Sequence, residues 1–195
     1  MRKHEFKQLA ETDDNIKKAI AGMRDVLNVF DDPSREGLDE TPLRYVKFMH
    51  EFLNPEPFEY SEFNAEGTDE MIVVSNIPFY SLCEHHMAPF FGYAAVAYIP
   101  NDKIVGLSKL PRVVDLYARK LQNQERITTQ IAEELMKKLN PKGVAVLLKA
   151  KHLCVEMRGI KKHDCWTTTS KLMGVFKEEP ETRKEFFDII RKDGH

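Results

Sequence analysis

Cysteine is scarce in this chain of 195 residues: there are three, an odd number that cannot all pair. That excludes a disulfide framework and leaves thiols free to act as metal ligands in a reducing compartment. Long apolar runs are absent too, so no membrane span is expected, and Met1-Arg2-Lys3-His4-Glu5 has no signal-peptide pattern. The chain reads as cytoplasmic. Charge of one sign is also missing. A formal net charge of −2 gives no global field for nucleic acid or a membrane surface, so an anionic ligand must be met by a local basic cluster. Neither Gly-x-x-x-x-Gly-Lys-Ser/Thr nor Gly-x-Gly-x-x-Gly occurs, which excludes a P-loop and a Rossmann phosphate turn.

What is present suits a soluble globular fold, with 42% hydrophobic and 31% charged residues and neither repeats nor low-complexity tracts. The pattern predicts an N-terminal helical region over 1–60 and a main domain over 61–195. Residues 1–12 are polar and read as poorly ordered. Ile16, Ile20, Met23, Leu27 and Phe30 share one helical face, either a seam for a partner helix or core packing within the subunit. Asp31-Asp32-Pro33-Ser34 closes that helix. Thr41 reads as an N-cap with Pro42 at the first helical position, opening a second helix to about Leu53.

From Met71 the pattern turns to strands. Met71 to Val74 and Gly92 to Tyr98 are apolar runs; Pro100 to Lys103 reads as a hairpin turn, with Ile104-Val105 starting the return strand. Leu110 to Leu139 has helical spacing throughout, which puts Gln124-Glu125-Arg126 in mid-helix. Gly143 to Met157 reads as one long strand, and the last helix covers about 181–192. This order predicts an α+β fold with a largely antiparallel sheet.

The chemistry concentrates in Cys83-Glu84-His85-His86 and His152-Leu153-Cys154. Cys83 and His86 can reach one metal from a single turn, and two thiolates disfavour oxygen-loving cations, so the set points to zinc. With Cys154 the protein supplies three ligands, which leaves a position for water; a fourth ligand from Cys165 would instead close the site and make it structural. His85 and His152 remain beside the metal, as proton carriers or as supports that orient ligands. Glu84 is a base or a surface charge, the second being favoured. Ser108-Lys109 and Arg112 at a helix start, and Arg158 ahead of Lys161 and Lys162, are candidate anion contacts; lysines in such runs are more commonly solvated. Gln124 and Glu125 could read a purine edge, although spacing alone puts Glu125 on a solvated face.

Taken together, these residues resemble GTP cyclohydrolase I. The resemblance rests on Glu40-Thr41-Pro42-x-Arg44-x-x-Lys47, Cys83-Glu84-His85-His86, Ala97-Tyr98-Ile99-Pro100, Gly106-Leu107-Ser108-Lys109, Gln124-Glu125-Arg126, His152-x-Cys154, Met157-Arg158-Gly159 and Thr167 to Ser170, in family order and spacing. It implies a tunnelling fold: an antiparallel sheet with helices on one face, joined with other subunits into a barrel. It also implies a homodecamer of two pentamers with active sites between subunits, so that the Ile16 seam packs between subunits. The implied reaction takes GTP and water to formate and 7,8-dihydroneopterin triphosphate. By resemblance, Cys83, His86 and Cys154 hold one zinc per subunit, which activates the water that attacks C8 of guanine. His85 protonates the opening ring, and His152 assists proton transfer at the ring or ribose. Ser108 serves the later ribose chemistry or contacts phosphate. Gln124 and Glu125 recognise guanine, and Lys109, Arg112 and Arg158 bind the triphosphate, with Arg44 and Lys47 reaching in from a neighbour. Lys162-His163-Asp164-Cys165-Trp166 departs from the family pattern, being bulky and oxidisable where relatives tend to carry small residues.

Overall fold

The computed structural model describes residues 3–193, which fall into two compact units divided between Pro55 and Glu56. The first unit is helical: α1 (Lys3–Thr12), α2 (Asp14–Phe30) and α3 (Thr41–Phe52). The polar start is thus a helix rather than poorly ordered chain. Its aromatic side chain, Phe6, is fully buried with its ring 5.6 Å from that of His50. Burying such a side chain contributes about 1.5–3 kcal/mol, enough to hold a short helix that composition alone would leave frayed. Asp13 caps α2, its carboxylate accepting from the backbone N–H of Asn15 and Ile16. Glu40, not Thr41, is the N-cap of α3, so Thr41-Pro42 already lies inside the first turn. Glu40 also gathers Lys3, Lys7 and Arg44, and these cations hold its carboxyl down at about 2.

The second unit is a five-stranded sheet with helices. Its elements are β1 (Glu62–Asn64), β2 (Ile72–Cys83), β3 (Pro89–Ile99), β4 (Lys103–Val105), α4 (Lys109–Ala118), β5 (Leu121–Gln122), α5 (Gln124–Leu139), β6 (Gly143–His152), α6 (Leu153–Glu156), β7 (Thr167–Gly174), α7 (Val175–Glu178) and α8 (Pro180–Lys192). The sheet order is β5-β2-β3-β6-β7, antiparallel except for the two-residue β5–β2 pairing. Two expectations change here. The return strand after Pro100 does not pair with β3: β4 pairs with β1 in a separate two-stranded sheet, and the Val105 N–H donates to the buried Tyr98 hydroxyl at 3.0 Å. The continuous helix from Leu110 splits into α4 and α5. Leu121-Gln122 between them pairs with Leu82-Cys83, and Asn123 caps α5 by accepting from the Arg126 N–H at 2.8 Å. Both helices bury the same kind of apolar stripe, so periodicity alone ran them together.

Alternation along β3 and β6 builds two cores. Ala94, Val96, Tyr98, Val144, Val146 and Leu148 face α4 and α5. Ala95, Ala97, Ala145 and Leu147 face Phe176 of α7 and Phe186 and Ile190 of α8. Helices therefore stand on both faces, correcting the expectation of one. The reason is that β3 and β6 are apolar on both sides, which demands two covers.

At the outer face of α5, the hydroxyls of Tyr60 and Tyr117 both donate to the Glu134 carboxylate at 3.2 Å. Burial and that negative charge raise both phenols, Tyr117 to about 12. A phenol raised above its unfolded value near 10 stabilises the fold below that pH, and the contribution is lost as pH rises through the folded value. The thermal midpoint is therefore expected to fall between about pH 10 and 12, and to fall less in Tyr117→Phe, when followed by circular dichroism.

Candidate active site and metal centre

Topology explains how two distant clusters meet. β2 and β6 both run antiparallel to β3 and flank it, so both end at the same edge of the sheet. Cys83 ends β2 and His152 ends β6, where the expected long strand stops and Cys154 sits in the single turn of α6. The β2–β3 turn is tight. The Cys83 N–H donates to Ala88 O at 2.9 Å, and Cys83 O accepts from the N–H of His86 and Met87. Met87 takes positive φ (51°), a cost of order 1 kcal/mol that the surrounding bonds sustain.

The ligand atoms of Cys83, His86 and Cys154 all lie within 4.8 Å of one another, a group that could hold a metal ion. A tetrahedral zinc would set its sulfur and nitrogen ligands about 3.5–3.8 Å apart, and Cys83 Sγ to His86 Nδ1 is 3.7 Å. The donor set and spacing therefore fit. Cys165 is exposed and outside the group. Burial and the adjacent Cys83 sulfur raise the Cys154 thiol. Arg158 donates to His86 Nε2 at 3.0 Å. A metal at either His86 nitrogen ends that bond, since Nε2 then either holds the metal or carries a hydrogen.

Around the cluster, the turn is clamped to the start of α5. Glu84 accepts from Arg126 Nη1 at 2.6 Å and Nη2 at 3.1 Å, and from Asn123 Nδ2 at 3.1 Å. Glu84 is thus held in an ion pair with Arg126 rather than standing as a free surface charge. On the sequence alone Arg126 carries no role of its own, and Asn123 does not stand out, because a capping Asn is visible only once the helix break is known. His85 is exposed, its Nδ1 3.8 Å from Cys83 Sγ and its Nε2 3.9 Å from Glu84 Oε1. His152 stacks on Phe90 with ring centroids 4.6 Å apart and 6° between planes. Burial lowers its pKa against the opposing charge of Glu125. Glu125 is exposed on the first turn of α5, not in mid-helix.

Three further placements bear on the expected site. Gln124 is 1% exposed and its amide is engaged within the protein, by Leu148, Thr167, Thr169 and His152. Ser108, Lys109 and Arg112 lie at the start of α4, whereas its far end meets the cluster edge, where Lys120 O accepts from the Leu82 N–H. Ten helical residues span about 15 Å, so within one chain these three stand well away from Cys83. Arg44 and Lys47 belong to the first unit and pair there with Glu40 and Glu51.

An α+β sheet that brings two thiols and an imidazole to one end, with two further histidines beside them, defines a protein with a candidate metal centre. This chain belongs to the GTP cyclohydrolase I family, whose profile matches residues 19–191. The family's fold is the tunnelling fold. GTP cyclohydrolase 1 of Chlorobium chlorochromatii (strain CaD3) is 51% identical over 185 residues, covering 92% of this chain and 82% of that protein. The protein of the same name from Leptospira biflexa serovar Patoc (strain Patoc 1 / Ames) is 50% identical over 171 residues, covering 85% and 93%. That of Campylobacter jejuni (strain RM1221) is 50% identical over 171 residues, covering 82% and 87%. Among the described residues, no helix is long and apolar enough to cross a membrane.

Proposed function

We propose that this protein is a zinc-dependent GTP cyclohydrolase that converts GTP and water to formate and 7,8-dihydroneopterin triphosphate. The observation that carries the reading is the convergence of Cys83, His86 and Cys154 with His85, His152 and Glu125 at one sheet edge, in a chain half identical to proteins named for that activity. Zinc held by Cys83, His86 and Cys154 would supply a Lewis acid and a water of lowered pKa, the requirement for hydrolysis at a purine carbon near neutrality.

The protein's own groups divide the remaining work. The Glu125 carboxylate accepts from the ring N–H and amino group of guanine, which orients C8 toward the cluster. His85 beside Glu84 delivers a proton to the imidazole nitrogen as that ring opens, its exposure keeping it in exchange with solvent. His152 moves the proton needed at the ring or ribose during rearrangement. Arg158, released from His86, takes a triphosphate oxygen as a charge-assisted partner.

The separation of Ser108, Lys109 and Arg112 from this cluster supports a site completed by a second copy, whose α4 start would supply them. Arg44 and Lys47 would come from a neighbour in the same way. The first unit supports assembly as well: Val29 and Phe30 are 75% and 82% exposed, and Met23, Val26, Tyr45 and Met49 line an apolar cleft of about 240 Å³. A decamer of two pentamers, working in the cytoplasm, is the arrangement this reading takes.

Incubating purified, zinc-loaded protein with GTP is expected to yield formate and a pterin that fluoresces after oxidation. Chelation should abolish both and added zinc restore them. No product from protein shown to contain zinc would overturn the reading.

A further inference from the structure

The site contains one hydrogen-bond chain whose polarity is completely determined. The Gln124 side-chain nitrogen stands 3.1 Å from Leu148 O, 3.1 Å from Thr167 O and 3.0 Å from Thr169 Oγ1. Two of these are backbone carbonyls, which only accept, so the atom facing them must be the –NH2. Turning the amide over would set its oxygen against two carbonyl oxygens in a fully buried position. The threonines give the same answer independently. The Thr128 hydroxyl spends its proton on Gln124 O at 2.7 Å. The 2.7 Å bond between Thr128 and Thr169 must then be donated by Thr169, which leaves Thr169 able only to accept from Gln124.

With the nitrogen committed, Gln124 Oε1 faces His152 Nε2 at 2.8 Å, and an amide oxygen can only accept. Nε2 must therefore carry a hydrogen. The stack on Phe90 fixes the plane of the ring, and turning the ring over within that plane would set a C–H against Gln124 Oε1 in place of the N–H, losing the hydrogen bond. In the neutral ring, Nδ1 is then the one atom with an available lone pair.

We propose that Gln124 is a positioning residue that locks His152 in its Nε2–H tautomer, so that any proton His152 gives or takes passes through Nδ1. Gln124 does not read the purine; it acts only through the histidine. The same logic underlies imidazoles whose second nitrogen is held by a protein acceptor, where losing that partner costs about 10–100-fold in function.

The test is nitrogen-15 NMR of the full-length protein labelled at histidine, recorded above neutral pH. Wild type is expected to show His152 with Nε2 protonated and Nδ1 bare; the opposite tautomer, or a mixture, overturns the proposal. Gln124→Met is expected to release the lock, giving averaged His152 resonances and a kcat lower by about 10–100-fold with KM for GTP within about threefold. A raised KM with the tautomer unchanged would return Gln124 to substrate binding and sink the inference. Thr169→Val keeps both carbonyl acceptors and is expected to keep the tautomer; loss of the Nε2–H form there would also overturn it. Should Gln124→Met not fold, the wild-type and Thr169→Val spectra still decide. The kinetic arm rests on the proposed function, whereas the spectra do not. Absence of GTP turnover in wild type would remove the proposed function and leave the tautomer assignment standing.

Discussion

Replacing His86 by alanine is expected to strip the metal and the activity together, whereas His85→Ala should keep the metal and lose turnover by about 10²–10⁴-fold. Distance from Cys83 does not separate these neighbours, since Sγ is 3.8 Å from His85 Nδ1 and 3.7 Å from His86 Nδ1. The second thiol does. The three-residue group with ligand atoms mutually within 4.8 Å takes His86 and Cys154, not His85. Removing His86 leaves two thiols and no imidazole grouped with both of them, too few ligands to retain zinc through dialysis. Removing His85 leaves all three ligands and deletes only an exposed imidazole beside Glu84. Metal content by mass spectrometry, read beside GTP turnover, checks the contrast. Zinc lost from both variants would mean that the division of labour is wrong.

The largest effect on stability is expected far from the chemistry, at Gly92. This residue pairs with Ala150 and Phe79 in the middle of the sheet. A Cβ there would fall 1.9 Å from Lys149 O and 2.7 Å from Ala150 Cα, both backbone atoms of β6. A backbone cannot rotate aside as a side chain does, so Gly92→Ala must push β6 away from β3. Overpacking against backbone costs at least about 1–3 kcal/mol, a large share of a domain's stability. The consequence reaches the site, because β3 is the strand that holds Cys83 on β2 and Cys154 after β6 at the same edge. Gly92→Ala is expected to lower the denaturant midpoint and weaken metal retention together. A midpoint and zinc content near wild type would show that the sheet absorbs the methyl group.

Much of this molecule is legible from residue types and short spacings. The Cys83-x-x-His86 ligand pair, the terminal helix and the apolar runs of β3 and β6 are local features. Their physics is complete within a turn of helix or a few residues of strand, so a pattern suffices to find them. The break between α4 and α5 is different. Two amphipathic helices facing one core share a continuous periodicity, and only the pairing of Leu121-Gln122 with Leu82-Cys83 interrupts it. The pairing of β4 with β1 instead of β3, and the cover of the second sheet face by α7 and α8, likewise depend on partners distant in the chain.

By itself, the sequence determined which chemistry this protein carries: two thiols and imidazoles at ligand spacing, basic groups for an anion and the family they mark. Tertiary structure alone decided which groups work together. It set Cys154 beside Cys83 because β2 and β6 flank one strand and end at one edge. It buried Gln124 against carbonyls and set its amide oxygen against His152. It also put Ser108, Lys109 and Arg112 at the far end of α4, away from the cluster they were expected to serve. The physical reason is common to all three. A residue's identity fixes what it can bond to, but its partners are set by strand order and helix direction, which bring together groups that are tens of residues apart in the chain.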